Sequence, residues 1–216
     1  AWLVGGSAFR DAFNGNGDGW HLTVGDDAEA KGPKKSREFA FDGSLPITVA
    51  VPVDLHFTRG EVARMVVRGP AAAVDRLEWN GQTLKMAGMG WTRHDFDVTI
   101  VAPSISAINV DAAADIDLAG LDQEEFRLGS NGAVDLTATG RVRRLFVNSA
   151  GATDVDLAGV DAEDATVRIS GVGDIDLAAT GTVDVDISGA GDVTLHKRPK
   201  TLRKSVSGIG SVDESY

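Results

Sequence analysis

Aspartates recur two residues apart through the second half of this 216-residue chain. They stand in Ala114-Asp-Ile-Asp-Leu118, Ala133-Val-Asp-Leu136, Thr153-Asp-Val-Asp-Leu157, Gly173-Asp-Ile-Asp-Leu177 and Gly191-Asp-Val-Thr-Leu195, with a fading Gly210-Ser-Val-Asp213. Aligned on Ile116, Val134, Val155, Ile175, Val193 and Val212, the segments lie 18, 21, 20, 18 and 19 residues apart. On that alignment Asp115, Asp154, Asp174 and Asp192 form one column, and Asp117, Asp135, Asp156 and Asp176 form its neighbour. Stacked as adjacent strands, carboxylates in a column lie about 5 Å apart. Charges that close repel, and a hard cation such as Ca²⁺ relieves the repulsion through oxygen ligands. The competing role is structural. A turn Asp accepts hydrogen bonds from backbone amides, and an outward Asp keeps the surface wet. The structural role carries more weight, because Asp encoded at repeat corners is common. The eight aspartates are the candidate binding residues, and a metal is left open.

Other chemistry finds little support. His21, His56, His94 and His196 are scattered without metal-ligand spacing. No Gly-x-Ser-x-Gly elbow occurs. Asn14-x-Asn16-x-Asp18-Gly19 resembles the opening of a calcium loop, but Gly25 stands where the bidentate Glu belongs. Arg141, Arg143 and Arg144 suggest one enzyme, a Ca²⁺-dependent polysaccharide lyase with a basic side chain near Asp135 or Asp154. Pairing of these arginines with outward Asp on neighbouring turns explains them as well, and fold analogy alone is weak warrant. A non-enzymatic protein without a cofactor, other than Ca²⁺, is the expectation.

The elements that must position the aspartates follow from the repeat. A period near 20 residues marks a solenoid. Each repeat holds an Asp-x-Asp-Leu strand and a second strand such as Leu145-Phe-Val147 or Val167-Arg-Ile169, with apolar residues inward. Gly-rich corners such as Ser170-Gly-Val-Gly173 permit positive φ and close backbone approach. The fold class is therefore all-β: a single right-handed parallel β-helix. Arg168 falls beside the Asp columns on this reading. Short alternating strands between Arg37 and Ile100 supply irregular first turns of the same coil, with a hairpin at Asn80-Gly81 and a helical turn at 71–76. Residues 1–36 read as an irregular segment and 37–216 as the β-helix. Lys31 to Lys35 reads as an exposed loop. Trp79, Met86, Met89 and Trp91, joined by Trp2 and Trp20, are candidates to cap the open end of the solenoid.

Composition narrows the partners. A net charge of -11 disfavours nucleic acid and anionic lipid. Twenty-six glycines and only 6% aromatics suit many turns around a core of small branched residues. With no cysteine, thiolate chemistry is excluded. The opening Ala1-Trp-Leu-Val-Gly-Gly-Ser7 fits the trimmed end of a signal sequence or anchor and equally an ordinary apolar start; on the first reading membrane association would come only through that anchor.

The run from Ile169 to Leu177 (Ile-Ser-Gly-Val-Gly-Asp-Ile-Asp-Leu), with Ile187-Ser-Gly-Ala-Gly-Asp-Val-Thr-Leu195 and Lys204-Ser-Val-Ser-Gly-Ile-Gly-Ser-Val212, resembles the closing turns of the bacterial head GIN domain. That family bears the label auto-transporter adhesin and is related to toastrack-type envelope domains. The resemblance covers roughly residues 37–213. Two departures stand out: Ala133 where Asp is expected, and a longer corner at Ser149–Thr153. The resemblance implies an exported β-solenoid of the periplasm or cell surface with no catalytic residues to carry over. The expected role is a rigid acidic module that binds or scaffolds an envelope protein. The alternative is a surface adhesin for glycan. Solenoid ends that stack also permit a homo-oligomer.

Overall fold

The computed structural model describes residues 33–88 and 96–216. Among these, strands dominate and stacked parallel coils form a β-solenoid of about five turns. Three long strands make the body: β9 (Ala113–Ser130), β10 (Ala133–Ser149) and β11 (Ala152–Ile169), each running almost a full coil. The coil continues through β12 (Val172–Ala179), β13 (Thr182–Ile187), β14 (Val193–Leu195), β15 (Thr201–Val206) and β16 (Val212–Glu214). Every pairing among these eight strands is parallel.

Alternation divides each coil into three faces. In β10, Val134, Leu136 and Ala138 point inward on the first face, Val142 on the second, and Leu145 and Val147 on the third. Two consecutive exposed residues, Arg143 and Arg144, mark the corner between the second and third faces. Like residues stack through the core: Ile116, Leu136, Val155, Ile175 and Val193 are each 3% exposed or less. Each such burial contributes roughly 1.5–3 kcal/mol. Outward like-charge neighbours cost only about 0.2–1 kcal/mol per pair, so the core can hold an unfavourable charge column in register.

The register corrects the sequence alignment at one repeat. Leu136, not Val134, pairs with Ile116 and Val155. The apolar spacings become 20, 19, 20, 18 and 19. Ala133 stacks on Ala113 and Ala152, so no Asp is missing there. The corner at Ser149–Ala152 matches the one at Ser130–Ala133 and is not longer. The error arose because Val134 and Leu136 are both inward, and an alternating strand looks the same after a two-residue slip.

The corner glycines serve close approach. A Cβ on Gly189 would lie 2.0 Å from the Gly171 carbonyl oxygen, and one on Gly171 equally close to that of Gly151. Positive φ, also expected at these corners, occurs in the final one, at Gly210.

The first turns do belong to the coil, but out of chain order. Strand β3 (Val53–Arg59) pairs parallel with β9 on one side and with β7 (Phe96–Ala102) on the other. Likewise β2 (Ile47–Val49) lies between β8 (Ala107–Val110) and β6 (Thr83–Met86). The chain lays down one coil, moves outward to build its end, then crosses back. At the crossing a Cβ on Gly43 would sit 1.9 Å from the Ser104 oxygen. Beyond these parallel pairs the end is antiparallel: β4 (Arg64–Pro70) lies on β7, β1 (Lys34–Phe39), laid down before the first coil, lies on β4, and β5 (Leu77–Trp79) forms a hairpin with β6, with the one-turn helix α1 (Ala71–Val74) between β4 and β5. Asn80 Oδ1 accepts the Gln82 and Thr83 amides, and Gly81 takes φ 97°, as the hairpin signal requires. Lys34 and Lys35 belong to β1 rather than to a loop. Charged residues suit that edge position. Trp79 and Met86 pack partly buried against the core at this end, and Trp79 Nε1 donates to the Ala40 oxygen at 2.9 Å. Trp2, Trp20, Met89, Trp91 and the Asn14–Gly19 turn lie outside the described residues.

Candidate binding face

The first face carries the aspartates outward, as alternation demands. Its central column is longer than the repeat alone shows. The register stacks Asp97, Asp54, Asp115, Asp135, Asp154 and Asp174 in unbroken succession. Asp192 continues it, its amide donating to Asp174 Oδ1 at 3.2 Å. Seven carboxylates thus occupy successive rungs. Asp135 belongs to this column and not to its neighbour, a consequence of the corrected register. Asp54 and Asp97 escaped the sequence reading. Their signal was present in Val53-Asp-Leu55 and Phe96-Asp-Val98, which repeat the apolar-Asp-apolar unit without the surrounding glycines.

The neighbouring column is diluted. It runs Thr99, His56, Asp117, Thr137, Asp156, Asp176, Thr194 and Asp213. His56 Nδ1 lies 3.2 Å from Asp117 Oδ2, and His196 Nε2 lies 2.6 Å from Asp176 Oδ1. Asp156 Oδ1 accepts the Ala158 amide. On the other side of the central column, two residues before each aspartate, stand Ala113, Ala133, Ala152, Val172 and Ala190, and Ile209, two before Ser211, continues the stack. Val172 is 62% exposed and Ile209 80%. The face is therefore an acidic column with an apolar column on one flank and a mixed column on the other.

The central column divides into two parts. At its C-terminal end the structural role holds: Asp174 accepts the Asp192 amide, and Asp192 Oδ1 accepts the Ser211 amide at 2.6 Å and its hydroxyl at 2.9 Å. In the middle, Asp115, Asp135 and Asp154 have neither a hydrogen-bond donor nor a cation among the described residues. The Asp154 carboxyl is held above its ordinary pKa, first by partial burial and then by the charges of Asp135 and Asp174, with Asp176 and Asp156 adding to them. Among the described residues no group of three or more Asp, Glu or His converges to hold a metal ion.

The arginines lie elsewhere. Arg141 stacks between Asp122 and Asp161 on the second face. Arg143 reaches Glu124 at 3.3 Å and Glu163 at 3.1 Å, and Arg144 reaches Glu125 at 3.4 Å. None of the three stands beside Asp135 or Asp154, where the lyase reading placed them. The partners are mostly glutamates, where aspartates were expected. Arg168 is on the third face, in register with Asn148 and Asp186, and not beside the Asp columns.

A protein-family model described as "Putative auto-transporter adhesin, head GIN domain" matches residues 45–199. The fold is similar to that of a solved "putative adhesin" from Bacteroides fragilis, with a TM-score of 0.62 at 18% identity over 86% of this chain and 98% of that one. Two other solved structures align over 86% of this chain. One is a "putative adhesin" from Parabacteroides merdae (13% identity, TM-score 0.45, 97% of that chain). The other is a "Putative lipid binding protein" from Parabacteroides distasonis (15% identity, TM-score 0.43, 98% of that chain). No curated protein matches the sequence.

Proposed function

The chain belongs to the head GIN domain family, and from that premise we propose that it is a non-enzymatic module of the cell envelope whose first face captures a basic protein surface. The observation that carries this reading is the acid-only column bordered by exposed apolar residues. Lysines and arginines of a partner would neutralise Asp115, Asp135 and Asp154, while its apolar side chains cover the Ala133, Ala152 and Val172 strip. Buried apolar area supplies affinity, and charge supplies steering and register. The coil supplies rigidity, so little ordering entropy opposes binding. A glycan without positive charge would leave the charge of the column uncompensated. In this reading Ca²⁺ acts as an occasional bridge to an anionic ligand and not as a resident ion. The module is exported and works in the periplasm or at the cell surface.

Thr137 is exposed between Asp117 and Asp156 and suits a photo-crosslinking side chain. Irradiation in cells, followed by mass spectrometry, is expected to give one dominant envelope-protein adduct. Changing Asp135, Asp154 and Asp174 to Lys is expected to remove that adduct while the protein stays folded. No protein adduct, with the domain open to protease on intact cells, would replace this reading with a glycan adhesin.

A further inference from the structure

The two ends of the solenoid are built differently. The N-terminal end is covered by the antiparallel strands β1, β4 and β5. At the C-terminal end, among the described residues, β15 pairs only with β13, and β16 only with β14. Thr201 and Ser207 donate their amides back to Gly181 and Ile187, and Ser215 donates to Leu195. Alternation then turns the backbone groups of Leu202, Lys204 and Val206 on β15, and of Val212 and Glu214 on β16, toward the free edge.

The last coil is also a near-palindrome centred on Ile209. Val206-Ser-Gly-Ile-Gly-Ser-Val212 reads the same in both directions, and Lys204 and Glu214 stand equally far from its centre. We propose that this end binds a second copy of the chain, tail to tail, about a two-fold axis through the corner at Ile209. Such an axis lays β15 of each copy antiparallel on β16 of the other, as an isologous contact requires. Each residue meets the one equally far beyond Ile209. Val206 faces the partner's Val212, and Lys204 faces the partner's Glu214. These are the residues whose backbone groups point to the free edge, so both ladders can form without a change of register.

Charge selects this arrangement. Strand β15 carries Arg203 and Lys204, and β16 carries Asp213 and Glu214. Laying β15 on β15, or β16 on β16, would oppose like charges. Lys204 and Glu214 also hold core-facing positions, in register with Val185 and Leu195, whereas that column is apolar in the coils below. A lone inward charge on an edge strand repels an added strand. Two of opposite sign admit only a partner that presents the complement, and this chain presents it. Val206 (42% exposed) would be covered, and Ile209 would meet its own copy on the axis.

Sedimentation of the full chain across the micromolar range tests the proposal. The wild type is expected to dimerise. Lys204→Glu and Glu214→Lys are each expected to weaken association roughly ten-fold or more, and the double reversal to restore it. Ile209→Asp, at an exposed position, is expected to give a folded monomer whose melting temperature equals that of the wild type diluted to its monomeric range. A monomeric wild type, single reversals that dimerise normally, or a double variant that stays monomeric would each overturn it.

Discussion

The first and second faces of this solenoid share one backbone and one rung spacing, yet treat charge in opposite ways. On the second face charges alternate from rung to rung. Arg59 meets Asp122 at 2.8 Å, Arg141 stacks between Asp122 and Asp161, and Lys197 pairs with Asp161. On the first face aspartate follows aspartate. The consequences are visible in two carboxyls seven residues apart. Asp161 is held below its ordinary pKa by the hydrogen bond and charge of Lys197, helped by Arg141. Asp154 is pushed above it by burial and by its like-charged neighbours. The second face shows that this backbone accommodates compensated charge readily. The acid column is therefore not forced by the fold. It costs stability, and the basic partner proposed above would offset that cost.

The largest expected effect removes the shared register itself. Gly189→Ala drives a Cβ into the Gly171 oxygen, with the Ser170 oxygen only 2.6 Å away. A loss of about 3 kcal/mol is expected in chemical denaturation, and both faces should lose their order together. An unchanged midpoint would show that the corners can spread apart.

A smaller effect turns the second face into the first. Arg143→Glu sets three glutamates on successive rungs, Glu124, the new side chain and Glu163. The Arg143 guanidinium is stabilised in its charged form chiefly by the hydrogen bond it donates to Glu163, and by Glu124. A melting temperature lower by a few degrees is expected, with partial recovery in high salt, since these charges are exposed and screened. No change would mean that the alternation is incidental.

The smallest effect turns the first face toward the second. Asp154→Asn removes one charge from the unpaired middle of the column and is expected to raise stability at neutral pH by about 0.5 kcal/mol, after allowing for solvent screening. The pH dependence has a defined sign. Because its folded pKa is raised, the native state holds this proton more tightly than the unfolded chain does. The penalty of ionised Asp154 is thus present at neutral pH and relieved as pH falls through the raised folded value toward the ordinary carboxylate range. Wild type and variant should converge in stability below that window. A gap that widened on acidification would contradict the assignment.

Much of this was legible in the residues. Self-similarity near 20 residues, inward Ile and Leu, outward Asp and Gly-rich corners together identify a parallel solenoid, because stacking identical rungs is the way such repeats bury their apolar side chains. The acid character of the first face follows from the same alternation. The hairpin at Asn80-Gly81 was readable because its turn chemistry is local.

Tertiary structure decided what depends on pairing between distant segments. The register placed Asp135 in the central column and added Asp54 and Asp97, because alternation within one strand leaves a two-residue slip undetermined until neighbouring strands align. It set the coil of β2 and β3 inside that of β6 and β7, an order no local pattern encodes. It also sorted the arginines onto a different face from the aspartates, since only the bend of each coil determines which side chains at similar spacing share a surface.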